Sequence, residues 1–316
     1  MNAAEPLDES EEVALPERRS NRPVTLMHRV ELTLVVALAG VFKIRGVDAA
    51  SALAGNFMRQ TGPLIRPLSR RVESNLARVF PDWPPEKIRA VTRDSWENVA
   101  RTGAEFIHLD TLRDFENNDR VDIVGKARLD AIAASATPVI LFSGHFANWE
   151  LIPSTLHRAG VDYGFVYRAA NNPLTDEFII RRRGKVMSRR QVPKGKRGGR
   201  ALVEMLASGR SLAMLVDQKL NSGIEVPFMG LPAMTAPAAA RLALKYGTPL
   251  IQVSLERLKG AHFRMTVHEP IVFTPTSDAG ADVYALTKKI NEALEADIRA
   301  RPGQWLWFHR RWPKEA

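Results

Sequence analysis

An imidazole and a carboxylate stand five residues apart in the stretch SGHFANWEL, at His145 and Glu150. A histidine backed by a carboxylate is the usual general-base arrangement. The carboxylate fixes the tautomer and stabilises the imidazolium once a proton is taken. That proton would come from a hydroxyl or amine on an acceptor. The chain has no cysteine and no G-x-S-x-G elbow, so direct attack by the acceptor on an activated acyl group is simpler than an acyl-enzyme. There is no H-E-x-x-H and the seven histidines are scattered, so neither a metal nor any other cofactor is expected. The bland alternative is a histidine that caps a helix and a glutamate paired with a nearby arginine.

The spacing makes chemical sense only with a turn. On a continuous helix, residues five apart lie about 140° round the axis and do not face each other. The sequence supplies the turn. PVILF (138–142) is a short apolar run that suits a buried strand, Ser143-Gly144 breaks it, and NWELIPSTLHRAG continues as a helix closed by Gly160. His145 is thus expected at the carboxyl edge of a strand, where open α/β sheets place ligands. Asp217 ends the run SLAMLV and is expected at a second strand's carboxyl end. There it would touch substrate, order an active-site arginine, or merely cap the next turn.

From residue 120 onward, short apolar runs alternate with helical patterns. The runs are RVDIVG, PVILF, YGFVYR, SLAMLVD, TPLIQVSLERL and FRMTVHEPIVF; GGRALVEMLASG and TAPAAARLALKYG fall between them. The alternation predicts an α/β fold with a mixed, mostly parallel sheet flanked by helices. The pair joined through KGA predicts an antiparallel hairpin. We read residues 1–23 as a disordered polar tail, 24–46 as a membrane-associated helix, and 47–316 as a single α/β domain whose front part, to residue 118, is helical. The apolar heart of the second segment, Val30 to Phe42, is short of the about 20 residues a span needs. An interfacial helix flanked by His28, Arg29, Lys43 and Arg45 suits it better than a span, and a helix in the protein's own core is the alternative.

The net charge of +10 over 316 residues favours an acidic partner: nucleic acid, an anionic membrane, or an acidic protein or phosphorylated substrate. RRRGKVMSRRQVPKGKRGGR (181–200) is basic throughout and reads as a loop that binds phosphates or an acidic protein face, or as a plain solvated surface. Half of the six tryptophans crowd the final dozen residues, at Trp305, Trp307 and Trp312 beside Arg310 and Arg311. This suits a headgroup-level membrane interface, or equally a terminal strand that packs its tryptophans inward.

SGHFANWEL resembles the H-x-x-x-x-E block of the late acyltransferases of lipid A biosynthesis, in the wider lysophospholipid acyltransferase superfamily. VYRAANNPLTDEFIIRRRG resembles the second block of that family. The stretch from AMLVDQKL through VPFMGLPAMTAP resembles the third, and PGQWLWFHRRW its C-terminal signature. The likeness runs from roughly residue 25 to 313. It implies His145 as catalytic base, Glu150 as its partner, and an assisting arginine. Arg183 fits that arginine best by its distance from Asn172-Pro173, with Arg181 and Arg182 close rivals. Asp217 matches the acidic position of the third block. Arg168 or Arg183, or backbone N–H groups of the 143–146 turn, would stabilise the oxyanion, and the acyl chain would lie beside Phe146, Trp149 and Phe228.

The resemblance further implies acyl transfer from an acyl carrier protein to a hydroxyl of a lipid A precursor. The expected location is the cytoplasmic face of the inner membrane, with acyl-ACP or acyl-CoA as co-substrate, a glycolipid as acceptor, no metal, and no nucleic acid among the partners. The nearest rival is acylation of another glycolipid or a glycerolipid from acyl-CoA. A rival of another class is a basic nucleic-acid-binding protein, although no known binding motif appears.

Overall fold

Six of the apolar runs become strands of one sheet. The computed structural model describes residues 23–167, 169–193 and 196–313. The polar tail and Arg168 therefore lie outside the described residues, apart from residue 23. The chain enters through four helices: α1 (Leu26–Thr61), α2 (Arg66–Val79), α3 (Pro85–Glu105) and the single turn α4 (Leu109–Leu112). Strands and helices then alternate as β1 (Val121–Val124), α5 (Lys126–Ala134), β2 (Ile140–Ser143), α6 (Leu151–Arg158), β3 (Tyr163–Tyr167), α7 (Pro173–Arg183), β4 (Gln191–Pro193), α8 (Lys196–Ala207) and β5 (Ser211–Leu215). A hairpin of β6 (Lys219–Phe228) and β7 (Leu231–Thr235) follows, then α9 (Ala238–Tyr246), β8 (Leu250–Lys259), β9 (His262–Pro270) and α10 (Ala279–Ala300).

The main sheet has the order β1-β9-β8-β2-β5-β3-β4, and β6 and β7 form a separate antiparallel pair. Every pairing in the main sheet is parallel except β8 with β9, the hairpin joined through Lys259-Gly260-Ala261. Successive strand residues point to opposite faces, and β2 shows it: Leu141 enters one core, Ile140 and Phe142 the other. Burial on both faces is why the run is apolar without alternation.

Two expectations are corrected here. The basic run 181–200 is not a loop. It holds the last turn of α7, the short β4 and the start of α8. Asn172 caps α7 by accepting from Leu174 N at 3.0 Å, Pro173 opens it, and three arginines occupy its last turn, where the helix dipole favours cations. The C-terminal tryptophans do not face a membrane. Trp305, Trp307 and Trp312 are buried in one aromatic cluster with Phe228. Their indole N–H groups donate inward, Trp307 to Pro302 O at 2.7 Å and Trp312 to Phe228 O at 3.1 Å. Arg311 is buried with them, donates to Met234 O and Thr235 Oγ1, and is pushed down to about 10 by burial. The segment is a turn with one bridge to Phe146 rather than a strand.

The other apolar end behaves differently. α1 breaks at Gly46, whose φ of 73° suits a residue without a Cβ. Before the break, Leu26, Met27, Val30, Leu34, Leu38 and Ile44 are exposed. No described helix is long and apolar enough to cross a membrane.

Candidate active site

Parallel register builds the centre of the site. β2 and β5 are paired from Ile140↔Leu212 to Ser143↔Leu215, a constant offset of 72 residues. The register continues past the strand ends, where Val216 N donates to Ser143 O at 3.0 Å. One step beyond Gly144 and Val216, the same offset puts His145 level with Asp217. The His145 ring Nδ1–H donates to Asp217 Oδ1 at 2.7 Å, and the His145 backbone N–H donates to Oδ2 at 2.9 Å. The Trp305 indole N–H donates to the same Oδ2 at 2.8 Å. Burial alone would raise the Asp217 carboxyl. The His145 charge and these three hydrogen bonds outweigh it and hold the group well below the usual carboxylate range. The Asp217 side chain keeps 2% of its surface exposed against 16% for His145. The imidazole is reachable and the carboxylate behind it is not.

This corrects the expected partner. Glu150 does not meet His145. Its two oxygens accept from Arg183 Nε at 2.8 Å and from Arg183 Nη2, a bidentate pair. The glutamate half of the bland alternative, a carboxylate bound to a nearby arginine, is therefore what the fold contains. The reason is local: the loop 146–149 lies between the turn and α6, so Glu150 arrives on the α7 side of the opening while the strand register has already filled Nδ1. Of the three consecutive arginines, Arg181 turns back to Glu177 and Arg182 to Ile107 O and Asp110, which leaves Arg183 at the site.

His145 and the Glu150–Arg183 pair line a cavity of about 220 Å³, with Asp217 behind the imidazole. Its polar edge is His145, Glu150, Arg183 and Gln218. Its apolar walls come from Leu141 and Phe142 of β2, Phe165 and Val166 of β3, Ala213 and Met214 of β5, and Ile152 and Pro153 of α6. Trp149 lines it too, edge-on to the imidazole with ring centroids 5.3 Å apart. Phe146 and Phe228, the other aromatics proposed for an acyl chain, are buried in the core with the tryptophans instead.

The loop that carries His145 is held from behind. Ala147 has φ 45°, a left-handed conformation uncommon for a residue with a side chain. Its N–H donates to Gln304 O at 2.9 Å, and its C=O accepts from Thr102 Oγ1 at 2.7 Å and Asn98 Nδ2 at 3.2 Å. Asn148 donates to Glu105, a fully buried carboxylate also bound by Arg257 and Ser51. Gly144 has no room for a side chain, since a Cβ there would lie 2.6 Å from the Phe146 ring and 3.3 Å from Asp217 Cβ. These N–H assignments remove two of the backbone oxyanion candidates and the next amide along: His145, Phe146 and Ala147 donate to Asp217, Gly144 O and Gln304 O.

The sequence reading missed Trp305 as a donor to Asp217, and Gln218 at the cavity edge. Adjacency to Asp217 was the one signal for Gln218, and nothing local pointed to Trp305, 88 residues from its acceptor.

Comparison with known proteins gives the following. The family model described as bacterial lipid A biosynthesis acyltransferase matches residues 22–314. A phosphatidylinositol mannoside acyltransferase of Mycobacterium tuberculosis is 25% identical over 261 residues, which cover 81% of this chain and 79% of that protein. A lipid A biosynthesis acyltransferase of Haemophilus influenzae is 22% identical over 249 residues, 75% of each chain. Among solved structures, the 1-acyl-sn-glycerophosphate acyltransferase PlsC from Thermotoga maritima aligns with a TM-score of 0.36 and 14% identity, over 87% of this chain and all of that one.

Proposed function

This chain belongs to the bacterial lipid A biosynthesis acyltransferase family, and we propose that it moves a fatty acyl chain from an acyl carrier protein onto a hydroxyl of a lipid A precursor. It is an acyltransferase by that membership, and the named relatives act on lipid-like substrates. The single observation that carries the mechanism is the imidazole itself. With Nδ1–H committed to Asp217, the His145 Nε2 lone pair is left at the edge of an apolar cavity.

In this reading the acceptor hydroxyl binds Nε2, which takes its proton as the oxygen attacks the thioester carbonyl. Asp217 keeps the tautomer and balances the imidazolium charge. The cavity between β2, β3, β5 and α6 receives the acyl chain. The Glu150–Arg183 pair is closed on itself, both carboxylate oxygens accepting from the guanidinium, so it is not placed to take the acceptor's proton. It shapes the opening and orients the polar end of a substrate. Arg168 is a further candidate to bind substrate. No metal or cofactor takes part.

The basic run 181–200 would serve the acidic carrier protein or the phosphates of the glycolipid, not a nucleic acid. The exposed apolar side chains of α1 before Gly46, with Arg29, Lys43 and Arg45 nearby, support attachment to the cytoplasmic face of the inner membrane. A second reading, acylation of another glycolipid or a glycerolipid from acyl-CoA, is favoured by the higher identity to the phosphatidylinositol mannoside acyltransferase.

The test is a purified protein assayed in vesicles with labelled acyl-ACP or acyl-CoA. The acceptors are a lipid A precursor that carries 3-hydroxyacyl chains, a phosphatidylinositol mannoside and a lysophospholipid. Transfer from acyl-ACP to the lipid A precursor, abolished in His145→Ala, is the expected result. Preference for another acceptor selects the second reading, and no transfer to any acceptor overturns both.

A further inference from the structure

We infer that Gln218 is a further catalytic residue: its side-chain amide caps the His145 imidazole in the free enzyme and donates to the oxyanion once the acceptor hydroxyl displaces it. The inference rests on the acyl-transfer reading above.

Gln218 follows Asp217 at the end of β5, is half-buried, and lines the same cavity as His145. Its Nε2 lies 3.3 Å from the His145 Nε2. Since the ring's Nδ1–H is given to Asp217, the other ring nitrogen accepts and the amide donates. At 3.3 Å the bond is longer than the about 2.9–3.0 Å usual for such contacts, which suits a partner that must leave. An acceptor hydroxyl within about 2.6–3.2 Å of Nε2 would occupy the amide's place.

The second observation is a count of donors. A tetrahedral oxyanion needs N–H groups aimed at it. The backbone amides of 145, 146 and 147 are occupied, and Arg183 spends two of its five N–H groups on Glu150. Among the described residues around the imidazole, the Gln218 amide has no bond other than the one that substrate must break. Rotation about its side-chain torsions carries the freed N–H from the ring nitrogen to a carbonyl oxygen bound beside it.

The step balances as follows. The acceptor O–H proton passes to His145 Nε2 as the oxygen bonds to the thioester carbon. The carbonyl π pair moves to oxygen, where the Gln218 N–H holds it. Collapse restores the C=O, breaks the C–S bond, and the departing thiolate takes the proton from the imidazolium.

Two measurements on the full chain test this. Carbethoxylation of His145 by diethyl pyrocarbonate, followed by mass spectrometry of its peptide, reads the cap without any substrate. Gln218→Ala should label roughly 2–10-fold faster than wild type, the factor that loss of one hydrogen bond implies. Unchanged labelling overturns the cap. Steady-state acyl transfer reads the oxyanion role. Gln218→Met keeps length without an N–H and should lose about 10²-fold in kcat or more, with KM for both substrates within about twofold of wild type. Gln218→Glu should be at least as slow. A Gln218→Met enzyme that melts like wild type and keeps kcat within about threefold, or loses only KM, overturns the role. A wild-type protein that transfers no acyl group overturns the acyl-transfer reading and the oxyanion role with it, and the labelling result then decides the cap by itself.

Discussion

Two acid–base pairs serve one cavity, one with only its imidazole at the wall and one with both members there, and they are made differently. His145–Asp217 comes from two adjacent parallel strands that end level, so the backbone register sets its geometry. Glu150–Arg183 comes from a loop end and the last turn of a helix 33 residues apart, so two side chains have to find each other. In the proposed reaction the first pair hands a proton on, and the second, closed on itself by two hydrogen bonds, holds charge in place. Neighbours in sequence are therefore a poor guide to partners at a strand edge. Residues at matching heights on adjacent strands are a better one.

The largest effect expected from breaking this contrast is loss of the base. His145→Ala should lower kcat by about 10²–10⁴-fold and leave the melting curve near that of wild type. Asp217→Asn should lose nearly as much. The double variant should be no slower than the worse single, since the two act as one unit, and steady-state kinetics on all three decides it.

The sharpest separation of the pairs is the ring tautomer, read by ¹⁵N NMR of the labelled histidine. Asp217→Asn should disturb the Nδ1–H signal of His145, and Glu150→Gln should not. Glu150→Gln should instead lower stability by about 3 kcal/mol in urea, because Arg183 is left largely buried without its carboxylate. A tautomer that changes in Glu150→Gln would dissolve the distinction.

Trp305→Phe should remove one donor from Asp217 and cost about 1.5–3 kcal/mol of stability, also measured in urea. The smallest effect is with acid. Asp217 titrates lower in the folded chain than its unfolded value of about 3.9, so its contribution is fully present above about pH 4 and is lost as pH falls toward the folded value. Asp217→Asn should therefore show a shallower loss of stability than wild type below about pH 4.

Much of the frame was legible. The apolar runs marked six strands, the central ones by a continuous hydrophobic signature and β1 and β9 by alternation, and KGA marked the one antiparallel turn of the main sheet. The Ser-Gly-His break placed His145 at a strand end, and the end of SLAMLV placed Asp217 at another. Their adjacency was not legible, since local periodicity says nothing about which strands pair. The hairpin of β6 and β7 was missed because NSGIE carries no alternation. The tryptophans of the C-terminal stretch read equally well as interface or core. Only the buried indole acceptors Pro302 O, Phe228 O and Asp217 decide it.

The route of that aromatic stretch has a consequence for biosynthesis. Leu306 N donates to His145 O, and Trp305 bridges Phe146 and donates to Asp217. At about 5–20 residues per second of translation, the 88 positions between Asp217 and Trp305 take a ribosome roughly 4 to 18 s. For that interval a nascent chain already displays its exposed apolar first helix while Asp217 lacks the indole donor that holds it. A chain stalled before Trp305 would therefore carry both members of the pair without their buttress.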